Sequence, residues 1–451
     1  MQTDELRARV AAQMPRVRQD LEDLVRIESV SADPARAAEV QRSAEAVVAL
    51  LLAEGFEDAR IVSGHADGRA PAVLARKPAP QGRPTVLLYA HHDVQPENDP
   101  AEWDSPPFEP TERNGRLYAR GAADDKAGIM AHLAALRALG SDLDVGVTMF
   151  IEGEEEVGSA TLPALLAEHG DYLAADVIVI ADSGNWDIGV PALTTSLRGL
   201  VRADVTVRTL THAVHSGMWG GLVPDALITL SRLIATLHDD EGNVAVQGLH
   251  SGPAADVDYP DERLQAESGV APGVHFIGSG SAVERLWTKP SLSITGLDAP
   301  KVDGASNTLV AAARAKISMR IAPGDTGASA AACLRKHLEA HVPWGAEMTF
   351  EVVDIGEATS ITATGPAYEA AREAFTQAWD GVEPVDMGVG GSIPFIAEFA
   401  RSFPDASVLV TGVEDPDTRA HGANEGLHLA EFERVCLAET LLLVALAGPL
   451  G

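Results

Sequence analysis

Apolar residues recur at three- and four-residue spacing over residues 3–28 and 34–54, which predicts two amphipathic helices, the second stopped by Gly55. Residues 61–76 read as one or two strands interrupted by Gly64 and Gly68. Residues 85–89 (TVLLY) form a short, unbroken apolar run after a Pro/Gly-rich turn, the pattern of a parallel strand buried on both faces. The run stops at His91, His92 and Asp93, and Pro96 closes it. A turn-rich loop at 97–114 carries Trp103 and Phe108, whose rings need something to cover. A short strand at 117–121 precedes a helix at 124–139 that Gly140 ends. A second apolar strand at 145–151 runs into Glu152-Gly153-Glu154-Glu155-Glu156, and Ser159 is placed to cap a helix ending at Gly170. A third buried strand, 177–181, ends in Asp182. Strands alternating with helices predict an α/β fold, a mostly parallel sheet with helices on both faces.

From about residue 197 the pattern changes. Residues 200–208 alternate apolar and polar, as a strand with one solvated face does. A helix at 222–238, strands at 291–296 and 313–321, a helix at 325–341 and a strand at 348–355 follow, giving the βαββαβ order of a ferredoxin-like α+β domain. Residues 239–290 interrupt it with a polar, Gly/Asp-rich insert that carries no clear element pattern. The α/β pattern then resumes with a helix at 366–379, a glycine-rich turn at 388–391, a strand at 406–410 and a closing helix at 429–446. The expected organisation is a discontinuous α/β domain, residues 1–196 and 361–451, with residues 197–360 inserted as a smaller domain. No internal repeat or low-complexity tract is visible.

Composition narrows the possibilities. With 451 residues, 46% hydrophobic and 22% charged, the chain is globular and long enough for two domains. A net charge of −32 repels phosphate, which argues against nucleic acid or an anionic membrane as partner. The N-terminus has no apolar core of a signal peptide, and the 437–446 apolar run is too short to span a bilayer, so a cytoplasmic protein is expected. The cysteines, Cys333 and Cys436, make neither a disulfide framework nor a thiolate cluster. Any metal must be held by His and carboxylates.

Such groups collect where the predicted strands end: His91 and Asp93, Asp124 and Asp125, Glu154 to Glu156, Asp182, and His421 within A-H-G-A-N-E. Each has an ordinary reading by itself. The His–Asp pair suits a surface turn, the Asp pair a helix N-cap, the glutamates a solvated run, and Asp182 an Asx-turn. Together, at one sheet edge where α/β proteins bind ligands, carboxylates in such number repel each other unless a cation intervenes. A mixed His/carboxylate shell suits zinc, cobalt or manganese better than magnesium. Two such ions about 3.5–4 Å apart make a shared water nucleophilic at neutral pH. A further carboxylate, free of metal, is then needed to carry the proton to the leaving amine. The Asp93 carboxylate is placed to orient the His91 ring.

The motifs A-H-H-D-V-Q-P, R-G-A-A-D-D-K-A-G, E-G-E-E-E-V-G-S, I-A-D-S-G, H-S-G-M-W-G-G, G-G-S-I-P and H-G-A-N-E run through the chain in that order. In this the sequence resembles the di-zinc metallopeptidases that include carnosine and cytosolic non-specific dipeptidases, glutamate carboxypeptidase, aminoacylase and succinyl-diaminopimelate desuccinylase. The resemblance implies two divalent metal ions, zinc first and manganese or cobalt otherwise. One would be held by His91, Asp124 and Asp182 and the other by Asp124, Glu156 and His421, with a cis peptide from the bridging Asp124 to Asp125. It assigns Glu155 as general acid/base and Asp93 to the orientation of His91. The inserted domain would be a lid through which a homodimer forms, His215 reaching across it to the oxyanion. Asn307, Arg320, Gly390, Gly391 and Ser392 would bind the substrate's carboxylate end. D-V-Q-P followed by W-D-S-P-P-F-E-P, with Asp182 where acylase-type relatives often carry Glu, resembles the dipeptidase branch. His92 stands where dipeptidases often have Tyr, and Ala213-Val214 where relatives often show Asp-Leu. The implied activity is hydrolysis of dipeptides or short peptides by a hydroxide held between two metals. An N-acyl-amino-acid deacylase is the alternative of the same chemistry, and a silent, metal-stabilised dimeric binding protein that of another class.

Overall fold

The computed structural model describes residues 2–66, 68–253, 256–391 and 394–448. It divides into two compact units, one of residues 1–195, 362–387 and 398–451, the other of residues 196–361 and 388–397.

The first unit is built on one mixed sheet. Thr85–His91 lies at its centre, parallel to Gly146–Glu152 on one side and to Val177–Ile180 on the other, and Val177–Ile180 is parallel in turn to Ser407–Val410. Antiparallel strands flank this parallel centre: Ala72–Lys77 and Arg60–Val62 beyond Gly146–Glu152, and Ala192–Leu197 beyond Ser407–Val410. The central strands are apolar throughout because both faces are covered. Gly146–Glu152 and Val177–Ile180 are buried at every position, and Thr85–His91 at all but its first. Lys126–Leu139 packs on Thr85–His91 and is itself covered by Thr3–Val25 and Leu429–Leu446, while Ala37–Ala53 and Leu162–Leu173 pack on Ala72–Lys77 and Gly146–Glu152. The parallel arrangement carries the carboxyl ends of Thr85–His91, Gly146–Glu152 and Val177–Ile180 to the same edge.

Local differences from the sequence reading have physical causes. The helix expected from Ser159 begins at Leu162 after Thr161 and continues through Gly170 to Leu173. Ser159 has a φ of +51°, and the Thr161 N–H is already taken by the Glu154 carboxylate at 2.6 Å. The glycine-rich turn near 388 is partly the strand Val385–Val389, and the strand Ala192–Leu197 and helix Pro394–Ser402 were not anticipated.

The second unit has the antiparallel order Ser291–Asp298, Ala312–Ile321, Gly199–Arg208, Glu347–Gly356, with the helices Ala226–Ala235 and Gly327–His341 packed on it. This is the ferredoxin-like order. Alternation along Gly199–Arg208 sends Val201, Ala203, Val205 and Val207 into a core with Leu230, Leu233, Ile317, Met319, Leu334 and Leu338. The insert left unassigned contains the helix Asp261–Ser268 and a turn of π-helix, Glu284–Thr288. Among the described residues no helix is long and apolar enough to cross a membrane.

Candidate metal centre

His91 ends the central strand and is fully buried. Its Nδ1 lies 3.0 Å from the Asp93 backbone carbonyl, which assigns the proton to that nitrogen, and 3.5 Å from the Asp93 carboxylate. That carboxylate does something the sequence did not suggest: its two oxygens accept the backbone N–H groups of Glu155 and Glu156, each at 3.2 Å. Asp93 thus pins the glutamate turn onto the end of the neighbouring strand. The other ring nitrogen of His91, Nε2, is buried and makes no hydrogen bond of good geometry among the described residues. It faces oxygens instead, with Asp124 Oδ1 at 3.2 Å, Asp182 Oδ1 at 3.8 Å and Glu155 Oε2 at 3.9 Å.

The second oxygen of Asp124 faces the other histidine. His421 Nε2 lies 3.0 Å from Asp124 Oδ2 and 3.4 Å from Glu156 Oε2. His421 is exposed, and it holds a left-handed φ of +62°, uncommon for a non-glycine residue. Asp124 is joined to Asp125 by a cis peptide bond, and neither carboxylate caps the helix that follows. Asp125 accepts the His91 backbone N–H at 3.1 Å and lies with His91 and Asp182 in one group whose donor atoms are all within 4.8 Å; His91, Asp124 and Glu156 form a second such group.

The three consecutive glutamates part ways. Glu154 turns to His65, 2.9 Å away, and to Thr161. Glu156 is held by Gln95, whose backbone N–H and side-chain amide reach its two oxygens at 3.0 and 2.7 Å. The Glu155 carboxylate accepts no hydrogen bond among the described residues and stands beside His91. His92 points elsewhere: its Nε2 meets the Pro71 carbonyl at 2.7 Å, and burial lowers its pKa to about 4, so it is a neutral packing residue and not a third imidazole of the site.

The electrostatics fit a cation site. Burial, then repulsion from Asp124, raises the Glu156 pKa to about 9. Burial, then Asp182, pushes Glu155 and Asp125 well above the usual carboxylate range. Burial works against a charge on His91, yet Asp124, Asp182 and Asp93 hold its pKa well above the ordinary value. The hydrogen bond to Asp124 raises His421, against an opposing effect of burial. Without a cation the cluster keeps protons it would otherwise shed; a divalent ion takes their place. The donor set of two imidazoles and several carboxylates, with the unpartnered Nε2 of His91 aimed at carboxylate oxygens, therefore fits divalent metal ions.

Residues assigned to the substrate lie in the second unit. His215 and Asn307, far apart in sequence, are brought together there: Val214–His215 pairs with Thr308–Leu309, and the Ser216 N–H donates to the Asn307 carbonyl at 2.9 Å. His215 is exposed, and its Nδ1 accepts the Gly217 N–H at 3.0 Å. Arg320 sits on Ala312–Ile321 opposite Leu200. Gly390 leaves room for a buried arginine, Arg198: a Cβ at 390 would lie 2.9 Å from its Nη2. One Arg198 nitrogen is tied to the Arg285 and Lys289 carbonyls and to Ser291, but its Nε has no partner among the described residues, and burial with the nearby Arg320 lowers its pKa to about 10. The sequence reading missed Arg198; its place before Gly199, at the start of a strand, was the available signal. Ser392 lies outside the described residues.

The fold and this edge of carboxylates and histidines define a metallopeptidase of the two-domain kind, and comparison with known proteins agrees. Residues 87–444 match the model of peptidase family M20/M25/M40, and the chain belongs to that family. It is 33% identical over 436 residues to cysteinylglycine-S-conjugate dipeptidase of Corynebacterium striatum, covering 95% of each chain. It is 30% identical over 379 residues to Beta-Ala-His dipeptidase of Rattus norvegicus, covering 79% of this chain and 76% of the relative. Among solved structures, human carnosine dipeptidase 1 superposes with a TM-score of 0.82 at 25% identity, over 99% of both chains. The di-peptidase Dug1p of Saccharomyces cerevisiae gives 0.84 at 24% identity, over 99% of this chain and 98% of the other.

Proposed function

We propose that the chain is a metal-dependent dipeptidase that hydrolyses dipeptides or short peptides with a free amino end. The observation that carries this reading is the division of Asp124, one oxygen towards His91 and the other towards His421. In this reading His91, Asp124 and Asp182 hold one metal ion and Asp124, Glu156 and His421 a second, zinc being our first choice and manganese or cobalt the others. When bound, the ions supply Lewis acidity, lowering the pKa of a shared water and polarising the scissile carbonyl.

The remaining steps belong to the chain's own side chains. Glu155, the one glutamate of the three whose carboxylate accepts no hydrogen bond among the described residues, takes a proton from the attacking water and returns it to the leaving amine. Asp93 keeps that glutamate in place through its backbone N–H. We assign Arg320, Asn307, Gly390, Gly391 and Ser392 to the substrate carboxylate and add Arg198, because two arginines with no acidic partner among the described residues suit an anion. His215 of the partner subunit is assigned to the oxyanion, which requires a homodimer formed through residues 197–360.

The test is amine release from free dipeptides and from N-acetyl amino acids, using metal-stripped protein titrated with zinc, manganese or cobalt. Metal-dependent cleavage confined to free dipeptides is expected. Cleavage of the acylated substrates alone would make the protein a deacylase; bound metal with neither activity would leave a binding protein.

A further inference from the structure

Glu425 is the last residue of H-G-A-N-E, four positions after His421, and it is fully buried. Its carboxylate is saturated with donors. Oε2 accepts Arg120 Nη1 at 2.6 Å and the Gly121 N–H at 3.1 Å, and Oε1 accepts the N–H groups of Ala123 at 3.0 Å and Asp124 at 3.2 Å. The Glu425 carbonyl takes the Ala119 N–H at 3.1 Å as well. Every residue from 119 to 124 except Ala122 is therefore bonded, through backbone or side chain, to this glutamate.

Arg120 completes the arrangement from the other side. It is 1% exposed, and its Nη2 donates to the Gly422 carbonyl at 3.1 Å and the Pro96 carbonyl at 3.3 Å. Its guanidinium lies 5.6 Å from the centre of the Trp103 ring. Asn424 joins the same loops, accepting the Asp104 N–H at 2.9 Å and donating to the Glu102 carbonyl at 3.1 Å. Three segments distant in sequence converge on one buried ion pair: the loop after His91, the turn presenting Asp124, and the loop presenting His421.

Both oxygens of Glu425 are taken by donors, and two Arg120 nitrogens are spent on Glu425 and on the Gly422 and Pro96 carbonyls. We infer that Glu425, clamped by Arg120, is a positioning residue that fixes Asp124 relative to His421 and so sets the metal position formed by Asp124, Glu156 and His421. His91 is held independently of the clamp, by Asp125 and the Asp93 carbonyl, and Asp182 follows a different strand, Val177–Ile180. Loss of the clamp should therefore act unequally on the two positions. The inference rests on the metal reading above, and its test separates the two.

Metal-stripped protein is titrated with zinc in competition with a chromophoric chelator, and its thermal unfolding is followed in parallel. Wild type is expected to bind in two steps. Glu425→Gln keeps the side-chain size but turns an NH2 group towards backbone N–H donors; one step should weaken roughly tenfold to a hundredfold, as when groups orienting ligands are removed, and the other, which shares Asp124 but keeps His91 and Asp182 in place, should weaken clearly less. Arg120→Lys keeps the charge but loses the fork, and should weaken the same step less. Glu439→Gln breaks another buried pair, with His132 at 2.7 Å, and controls for plain destabilisation: lower melting temperature, both steps intact. Wild-type affinities in Glu425→Gln or Arg120→Lys, or equal weakening of both steps, would overturn the clamp. A wild type lacking two steps would overturn the metal reading together with it.

Discussion

Gly128 stands in the first turn of Lys126–Leu139, where alanine would ordinarily be preferred. In a helix interior the exchange of glycine for alanine stabilises by about 0.5–1 kcal/mol. Here the new Cβ would sit 2.2 Å from Asp125 Oδ1 and 2.8 Å from the Ala181 carbonyl. The carbonyl is backbone at the end of a central strand, one residue before Asp182, and Asp125 is tied to the His91 N–H at 3.1 Å. Neither can retreat without moving a ligand. Overpacking of this kind costs about 1–3 kcal/mol, so after the propensity gain Gly128→Ala should lose up to about 2.5 kcal/mol of stability. Activity should fall by about a hundredfold, since misplacing a reacting group by an ångström has that effect. Gly170, inside Leu162–Leu173 with nothing within 4 Å of its would-be Cβ, is the matched control, and Gly170→Ala should raise the melting temperature. The measurement is thermal unfolding of both variants with and without metal, beside turnover of a free dipeptide. If Gly128→Ala proves as stable and as active as Gly170→Ala, the crowding argument is wrong.

Other expectations follow from the same geometry. Glu155→Gln should reduce kcat by about 10²–10⁴-fold while zinc remains bound by direct metal analysis; near wild-type turnover would remove Glu155 from its role. Arg320→Met should raise KM for free dipeptides far more than it lowers kcat, and a pure kcat effect in steady-state kinetics would argue that Arg320 does not meet the substrate carboxylate. Zinc should raise the melting temperature of stripped protein, by about 2.7 kcal/mol of stabilisation at a hundredfold excess over Kd. The effect should fade at acid pH as His and carboxylate ligands protonate, and a metal effect independent of pH would contradict the donor set. His132, buried against Glu439, has its pKa raised: burial opposes the charge, but the Glu439 carboxylate outweighs it. A histidine raised in the folded state adds stability that is complete below its unfolded pKa, near 6.5, and is lost as pH rises through the folded value. Stripped protein should accordingly lose stability above neutral pH, and Glu439→Gln should flatten that dependence in melts taken from pH 6 to 9; a parallel slope would count against the pair.

The parts of this molecule that burial dictates could be read along the chain. Thr85–His91 and Val177–Ile180 are apolar because they lie in the parallel centre, and the histidines and carboxylates that break those runs stand where the strands end. Ala192–Leu197 escaped notice because Thr194, Thr195 and Ser196 hide a buried strand among polar residues. Val385–Val389 escaped because Gly388, which leaves room for Trp287, imitates a turn. What the site gains from backbone donors was invisible. Asp93 looked like a partner for an imidazole, yet its oxygens bind the N–H groups of Glu155 and Glu156; Glu425 looked like the end of a motif, yet it gathers the turn that presents Asp124. Side-chain identity announces chemistry, whereas which N–H groups a carboxylate will collect depends on loops meeting from distant parts of the chain.

Thr359–Ser360 pairs antiparallel with Ala192–Leu197, Thr359 opposite Leu197 and Ser360 opposite Ser196. The long segment that carries most of the smaller unit therefore begins and ends at neighbouring rungs of one ladder, about 5 Å apart. All the strands of the four-stranded sheet, and both helices on it, fall between these rungs. A segment whose entrance and exit touch can be exchanged for a relative's without stretching the chain on either side of it. A graft built on residues 197–360 would also have to carry residues 388–397, which belong to the same compact unit.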